Sequence, residues 1–457
     1  MSLLYSKAAE IIKQVCEEGK GFRDVFYSTE TSNAKAKLYG LISKTLALRQ
    51  KLEEALKEVL PEEKFANHYF TLAMLCDLVN GREISGGGKV KRLLEKNKSK
   101  FRALLKPVLK KERRATKAAG EGPKRYLRVT CDIKQIEEII RSGLSAESNE
   151  EGAESLVEPM FQPTEFGELF EFTDNSLVGR ILKNSQLRES IFSSLAYLQD
   201  KSTCLTAHAL LPSPLPATPV HVLDVCAAPG SKSLHLLSLL RPGDSLTMVE
   251  RDPKRAETLK TRLKAATGWS GETEVVLGAG EEQTSLIGKG VRIRLIVADF
   301  MTISSPGATH ISLDPSCSGS GLDTHETTAP SADLAKRLFV LSDLQRRMLR
   351  HATDVRHFPK AQVICYSTCS SHRDENEDVV SSVVGVAAGK NFKISDEYPK
   401  QLVSSFKDGT ALKTSAAKHN CRGFFLQKLV RVPQAKRAIT LAKAPARKIR
   451  KLQDDCE

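Results

Sequence analysis

The stretch His221-Val-Leu-Asp-Val-Cys-Ala-Ala-Pro-Gly-Ser-Lys232 decides the fold class. Val222, Leu223 and Val225 make a short β-rich run that passes through small residues and a Pro-Gly turn into Ser233 to Leu240, where the spacing is helical. A strand that turns tightly into a helix is the repeating unit of a parallel α/β sheet. Outward from this stretch the alternation continues, with β-rich runs at Ser245 to Glu250, Leu295 to Ala298, His310 to Asp314 and Gln362 to Ser367, each separated by a helical pattern. The predicted body of the molecule is therefore a parallel α/β sheet.

Ligands on such sheets bind beyond the carboxyl ends of the strands. Past the first run stand Cys226, Ala227, Ala228, Pro229, Gly230, Ser231 and Lys232, small enough for a backbone to approach a ligand closely at a helix N-terminus. Neither GxxxxGK[ST] nor GxGxxG is present there, which disfavours a nucleoside triphosphate or NAD. Glu250 closes the second run twenty residues after Gly230, the offset expected for a carboxylate that accepts ribose hydroxyls. Asp299 and Asp314 end two further runs, so carboxylates gather along one edge. A cationic, ribose-bearing cofactor suits them, and the sulfonium of S-adenosylmethionine is such a cation. The same edge receives Cys317, in Leu313-Asp-Pro-Ser-Cys-Ser-Gly-Ser-Gly321, and Cys369, in Val363-Ile-Cys-Tyr-Ser-Thr-Cys-Ser370. A lone cysteine usually behaves as a small buried hydrophobe. Two at the ligand edge of one sheet point to thiol chemistry, while Cys365, inside its strand, reads as core.

The rest of the 457 residues divides around this body. Residues 1–118 carry apolar positions at helical spacing and form an expected helical domain. Residues 119–211 read as a small α+β segment with the strand-like Arg125 to Thr130 and an acidic linker from Ser145 to Glu158. Residues 212–432 hold the sheet, and 433–457 form a basic tail expected to be disordered. Lys and Arg exceed Asp and Glu by 14, and the surplus is concentrated. Lys89 to Lys117 carries thirteen basic residues against Glu95 and Glu112, and Gln434 to Lys451 carries seven against none. Both segments read as attachments to a body that is itself slightly acidic: the first is either a solvated helical face or a polyanion-binding one, and the tail is either a phosphate contact or a nuclear or nucleolar address. The ten cysteines include no CxxC pair, which argues against structural zinc and a disulfide framework, so no metal is expected. No stretch reaches the roughly 18 apolar residues of a membrane span.

Asp224-Val-Cys-Ala-Ala-Pro-Gly-Ser-Lys232, Leu313-Asp-Pro-Ser-Cys-Ser-Gly-Ser-Gly321 and Tyr366-Ser-Thr-Cys-Ser-Ser-His-Arg-Asp-Glu-Asn-Glu377 together resemble the cofactor and two-cysteine motifs of the Nop/Sun RNA cytosine-5 methyltransferases. Leu198 to Ser202, Arg255 and Arg422-Gly-Phe-Phe-Leu426 extend the resemblance over about 122 to 430. The Asp-Pro-Ser-Cys form and the Gly-Gly-Gly-bearing helical domain ahead of it are most similar to the large-subunit ribosomal RNA branch, the fifth Sun-domain subfamily. Three positions depart from the pattern: Trp269 to Arg292 is longer than usual, Glu250 replaces Asp, and Thr130 replaces an Asn.

The resemblance implies a class I Rossmann-like methyltransferase sheet and a small α+β segment that contacts RNA. It also implies S-adenosylmethionine held by 226–232, Glu250, Arg255, Asp299 and Asp314. Cys369 would be the nucleophile, Cys317 would aid release, Asp314 would contact base or cofactor, and Lys232 would supply local positive charge. Cytosine C5 is too weakly nucleophilic to take a methyl group directly, and a thiolate added at C6 makes it reactive. Physical chemistry alone leaves the order of the two thiols open. Expected partners are RNA, foremost large-subunit rRNA or pre-ribosomal particles, with no membrane, and the expected compartment is the nucleus, specifically the nucleolus. The alternatives are a DNA or tRNA methyltransferase and, from another class, a non-catalytic RNA-binding ribosome-assembly factor.

Overall fold

A computed structural model describes residues 3–18, 22, 25–26, 29, 35–86, 88–118, 124–145, 156–211, 213–269, 271, 274–276, 287–322, 332–384 and 391–433. The basic tail from 434, most of the acidic linker and residues 277–286 lie outside the described residues.

The amino-terminal helices span Leu3–Glu17, Lys35–Val59, His68–Val79, Gly88–Lys96 and Lys98–Ala118. His68–Val79 is the central one, buried continuously from Phe70 to Val79, because its residues are apolar on nearly every face and neighbours surround it. Asn67 caps it, its Oδ1 accepting from the Phe70 N–H at 2.9 Å. The one acid inside it, Asp77, accepts from the Tyr5 hydroxyl and the Arg82 guanidinium. The basic run from Lys89 is part of this packing, with Leu94, Phe101 and Leu105 buried and Arg92, Lys96, Lys100 and Lys106 outward. Its described part is an outward basic face of the folded bundle.

A four-stranded antiparallel sheet follows, built from β1 (Tyr126–Val129), β2 (Phe161–Pro163), β3 (Leu169–Phe172) and β4 (Ala196–Leu198) in the order β2-β3-β1-β4. All four residues of β1 are buried although its sequence alternates. Leu127 and Val129 enter a core with Ile136, Ile140 and Phe172, while Tyr126 joins the core of the large sheet. Arg128, on that same second face, is enclosed where the two sheets meet: its Nε donates to Gln199 Oε1 at 2.8 Å and its Nη1 to Ser238 Oγ.

The large sheet contains β5 (His221–Val225), β6 (Ser245–Glu250), β7 (Glu274–Val276), β8 (Arg292–Val297), β9 (His310–Leu313), β10 (Val363–Thr368), β11 (Phe392–Ser395), β12 (Lys407–Asp408), β13 (Ala411–Thr414) and β14 (Phe424–Arg431). Its order is β12-β13-β14-β10-β9-β5-β6-β8-β7, with β11 also against β14. Strands β8, β6, β5, β9 and β10 run parallel and β14 lies antiparallel to β10. The long segment from Trp269 contributes β7, antiparallel at the edge, so β8 is the third parallel strand and Asp299 follows it. Helices Lys201–Leu210, Ser231–Leu239 and Pro253–Thr267 bury one face, through Leu205, Leu234, Leu237, Leu259 and Leu263. Helices Ala332–Ala352 and Glu377–Val384 bury the other through Met348, Leu349, Val379 and Val383. Among the described residues no helix is long and apolar enough to cross a membrane.

Candidate active site

The turn after β5 is built from its backbone. Cys226 has φ +61° and Gly230 φ +104°, both in the left-handed region, and Gly230 is the N-cap of Ser231–Leu239. A Cβ at Gly230 would stand 2.7 Å from Leu259 Cδ1, a side-chain end that can shift, so it is the φ of +104° that calls for glycine here. The turn is held against the end of β6: Ala228 N donates to Glu250 Oε2 at 3.3 Å, and Arg255 Nη2 donates to the Ala228 carbonyl at 2.7 Å. Glu250 is 4% exposed and its Oε1 accepts from Asp252 N at 2.9 Å. One N–H per oxygen leaves further acceptor capacity on each, suited to a pair of ribose hydroxyls. Burial pushes the Cys226 thiol up to about 12, which leaves it a neutral part of the turn. Ser231 accepts from Arg262. Asp299 lies exposed after β8 and caps the short turn Phe300–Thr302 through Met301 N.

On the other half of the edge stand the two cysteines with Asp314 and Lys232. Cys317 and Cys369 follow the neighbouring strands β9 and β10, and their sulfurs are 3.0 Å apart. Asp314, directly after β9, receives Lys232 Nζ at 2.5 Å on Oδ2 and the Ser367 hydroxyl at 2.9 Å on Oδ1. Lys232 Nζ also lies over the Phe424 ring, 5.3 Å from its centroid. Burial works against the Lys232 ammonium, but the Asp314 carboxylate outweighs it and the Cys369 charge adds to it, so its pKa is raised. The Cys317 thiol is pushed well up, first by its hydrogen bond to Cys369, then by burial and the charge on Cys369. The two thiols share one hydrogen bond, in which either sulfur can be the donor.

The loops carrying these thiols are fastened by residues that the sequence reading passed over. Ser318 N donates to Glu375 Oε1 at 2.9 Å, and Gln345 Nε2 donates both to that oxygen at 3.0 Å and to the Ser316 carbonyl at 2.9 Å. Gly321 N donates to the Cys369 carbonyl at 2.9 Å and Gly423 N to the Gly321 carbonyl at 2.7 Å. A Cβ on Gly423 would lie 2.8 Å from Gly321 Cα, so these backbones touch. Glu375 and Gly423 sit inside the motifs that carried the resemblance, whereas Gln345 had no local signal. Thr130, in place of the usual Asn, bonds through its hydroxyl to the carbonyls of Ser194 and Leu195. A hollow of about 170 Å³ lies at the opposite, amino-terminal ends of the strands, beside His221, Ser245 and Arg292, with no thiol or carboxylate in its lining.

Comparison with known proteins adds two matched families. Residues 215–430 match the family described as 16S rRNA methyltransferase RsmB/F, and residues 36–118 match the N-terminal domain of NOL1/NOP2/Sun domain family member 5. The chain is 28% identical to a 28S rRNA (cytosine-C(5))-methyltransferase of Mus musculus, over 93% of this chain and 90% of the other. It is 29% identical to the 25S rRNA (cytosine-C(5))-methyltransferase rcm1 of Schizosaccharomyces pombe, over 83% and 79%. The crystal structure of PH0851 shares the fold at a TM-score of 0.56 and 15% identity, covering 94% of this chain and 99% of that one.

Proposed function

We propose, starting from a chain that belongs to the Nop/Sun family of RNA cytosine-5 methyltransferases, that this protein methylates C5 of a cytosine in large-subunit ribosomal RNA, with Cys369 as its nucleophile. The observation that carries the assignment is the pair of sulfurs 3.0 Å apart at the carboxyl ends of adjacent parallel strands, beside a Lys232–Asp314 pair. S-adenosylmethionine, when bound along 226–232 and Glu250, supplies the methyl group as an electrophilic carbon on a sulfonium. The residues fit it: the carboxylates suit its charge and ribose, and the Gly230 turn brings the backbone close.

The chain's own part begins with the Cys369 thiolate, 3.0 Å from the Cys317 sulfur and near the Lys232 ammonium. It adds to C6 of the cytosine, and the electron pair displaced onto C5 makes that carbon a nucleophile. Asp314, fixed by Lys232 and Ser367, is placed to orient the base. After methylation the C5 proton leaves to solvent, the C6–S bond breaks with its electrons returning to the Cys369 sulfur, and the Cys317 S–H hydrogen-bonds to that departing sulfur. A paired base must be flipped out to reach both thiols, which favours single-stranded or remodelled RNA. The outward lysines and arginines of residues 88–110 supply phosphate contacts and a salt-dependent affinity. Such a substrate sets the site of action in the nucleus, within the nucleolus.

The test is trapping of radiolabelled large-subunit rRNA on denaturing gels with wild-type, Cys317→Ala and Cys369→Ala proteins in the presence of S-adenosylmethionine. An adduct that accumulates in Cys317→Ala and is absent in Cys369→Ala is the expected result. The reverse pattern exchanges the thiols. Turnover on tRNA but not rRNA would change the substrate, and no transfer to either would overturn the enzymatic reading.

A further inference from the structure

We infer that Glu375 is a positioning residue for the release step, holding Cys317 beside Cys369 by gripping the loop on both of its sides. The inference rests on the proposed roles of the two cysteines and adds a residue to which neither motif chemistry nor resemblance gave a role. Glu375 is completely buried, and its backbone is fixed by the Tyr366 hydroxyl, which donates to the Glu375 carbonyl at 2.6 Å. One carboxylate oxygen, Oε1, accepts from Ser318 N directly and from Gln345 Nε2, whose same amide group holds the Ser316 carbonyl. The residues immediately before and after Cys317 are thus tied to one side chain.

The rest of the arrangement departs from ordinary loop support. The second oxygen, Oε2, is buried without a hydrogen-bond partner, as is Gln345 Oε1 beside it. A loop that needed only an acceptor would be served as well by a neutral amide, without the cost of burying a carboxylate. What the carboxylate adds is a negative potential at the Cys317 sulfur, which opposes loss of the thiol proton. The Glu375 charge accordingly stands among the causes that raise the Cys317 thiol, after the Cys369 hydrogen bond, burial and the Cys369 charge. Geometry and charge serve one purpose: a protonated Cys317 pointed at the Cys369 sulfur when the C6–S bond breaks. The attack of Cys369 on C6 makes no such demand on Glu375.

Glu375→Gln keeps an oxygen for Ser318 N and Gln345 Nε2 and removes the charge. In single-turnover assays on full-length protein with large-subunit rRNA, methyl transfer is expected within about twofold of wild type while resolution of the covalent adduct slows about tenfold. Because loss of the charge lowers the Cys317 pKa, the decline of release at alkaline pH is expected to move to lower pH. Glu375→Asp, which restores charge with a shorter reach, should recover the pH profile more fully than the rate. Transfer and release falling together with an unchanged pH profile would overturn the inference and leave Glu375 as generic support for the loop. Cys317→Ala, run in parallel, separates the two levels. If it accumulates adduct while Glu375→Gln releases like wild type, the Glu375 inference alone fails. If Cys317→Ala accumulates no adduct, the cysteine roles fail and this inference with them.

Discussion

The two halves of the sheet edge are made in different ways. The turn after β5 is a local construction, in which Gly230, Ala228, Glu250 and Arg255 lie within 27 residues of one another and fasten one backbone turn to the next strand. The Cys317 loop after β9 is a distant construction, requiring Gln345, Glu375 and Gly423 to arrive from three later segments and join it to the Cys369 loop. The first shapes a surface for a ligand, and a backbone with two left-handed residues suffices. The second must hold two sulfurs to within ångströms, which takes fixings from several directions. A cofactor site can therefore be carried by one short motif, whereas a pair of reactive groups depends on the assembled sheet.

Breaking the distant construction should have the largest effect. Gly423→Ala forces a Cβ to within 2.8 Å of Gly321 Cα, backbone against backbone, and displaces the loop between the thiols. Methyl transfer to rRNA is expected to fall about a hundredfold, while S-adenosylmethionine affinity by titration calorimetry stays unchanged; a parallel loss of affinity would show that the two halves are one unit. Gly230→Ala is the converse. Its φ of +104° and the approach to Leu259 predict a roughly tenfold weaker cofactor affinity, equivalent to about 1.4 kcal/mol. Saturating cofactor should recover most of the turnover.

A smaller effect concerns the joint beneath both halves. His235 is fully buried, receives Gln199 Nε2 on Nδ1 at 3.3 Å and bonds through Nε2 to Glu168, which His208 also engages. These three side chains bring their donor atoms within 4.8 Å of one another, the one such group among the described residues, but the Gln199 contact makes His235 Nε2 an N–H donor to Glu168, so the cluster is satisfied without an ion. Burial holds the His235 pKa down to about 3. The unfolded chain then binds the extra proton first, so stability is present above the ordinary histidine pKa of ~6.5 and is lost as pH falls from there toward 3. The melting temperature should drop across that window, and His235→Gln should flatten the dependence. Smallest of all, Asp343→Asn removes an ion pair with Arg347 whose side chains are 53% and 56% exposed on the outer face of Ala332–Ala352. Activity within about twofold of wild type and an unmoved melting temperature are expected, in contrast with Gln345→Ala on the inner face of the same helix.

The contrast also explains what the amino-acid order disclosed. The five parallel strands were legible because each is a short β-rich run next to a helical period, and Cys317, Cys369, Asp314 and Glu250 because they stand where such runs stop. The rank of β8 was hidden by the long segment before it, and only strand pairing shows that β7 turns back antiparallel at the edge. Arg125 to Thr130 reads only as a strand, and nothing in it marks Arg128 for burial, yet the second sheet covers that face and a buried guanidinium bonded to Gln199 and Ser238 results. Gln345 could not be read at all, since a glutamine within an amphipathic helix carries no mark of the loop its amide will meet.

Gly423 stands at the head of β14, which pairs with β10 and lies more than a hundred residues downstream of Cys317. Synthesis delivers the helical bundle first, then the cofactor turn, and only near the end the strand that closes the catalytic loops. A nascent chain still short of β14 holds its basic helices and its cofactor turn without the backbone clasp between its cysteines. The order of translation thus leaves the clasp between the two cysteine loops among the last parts of the chain to emerge, and a chain interrupted before Gly423 lacks it.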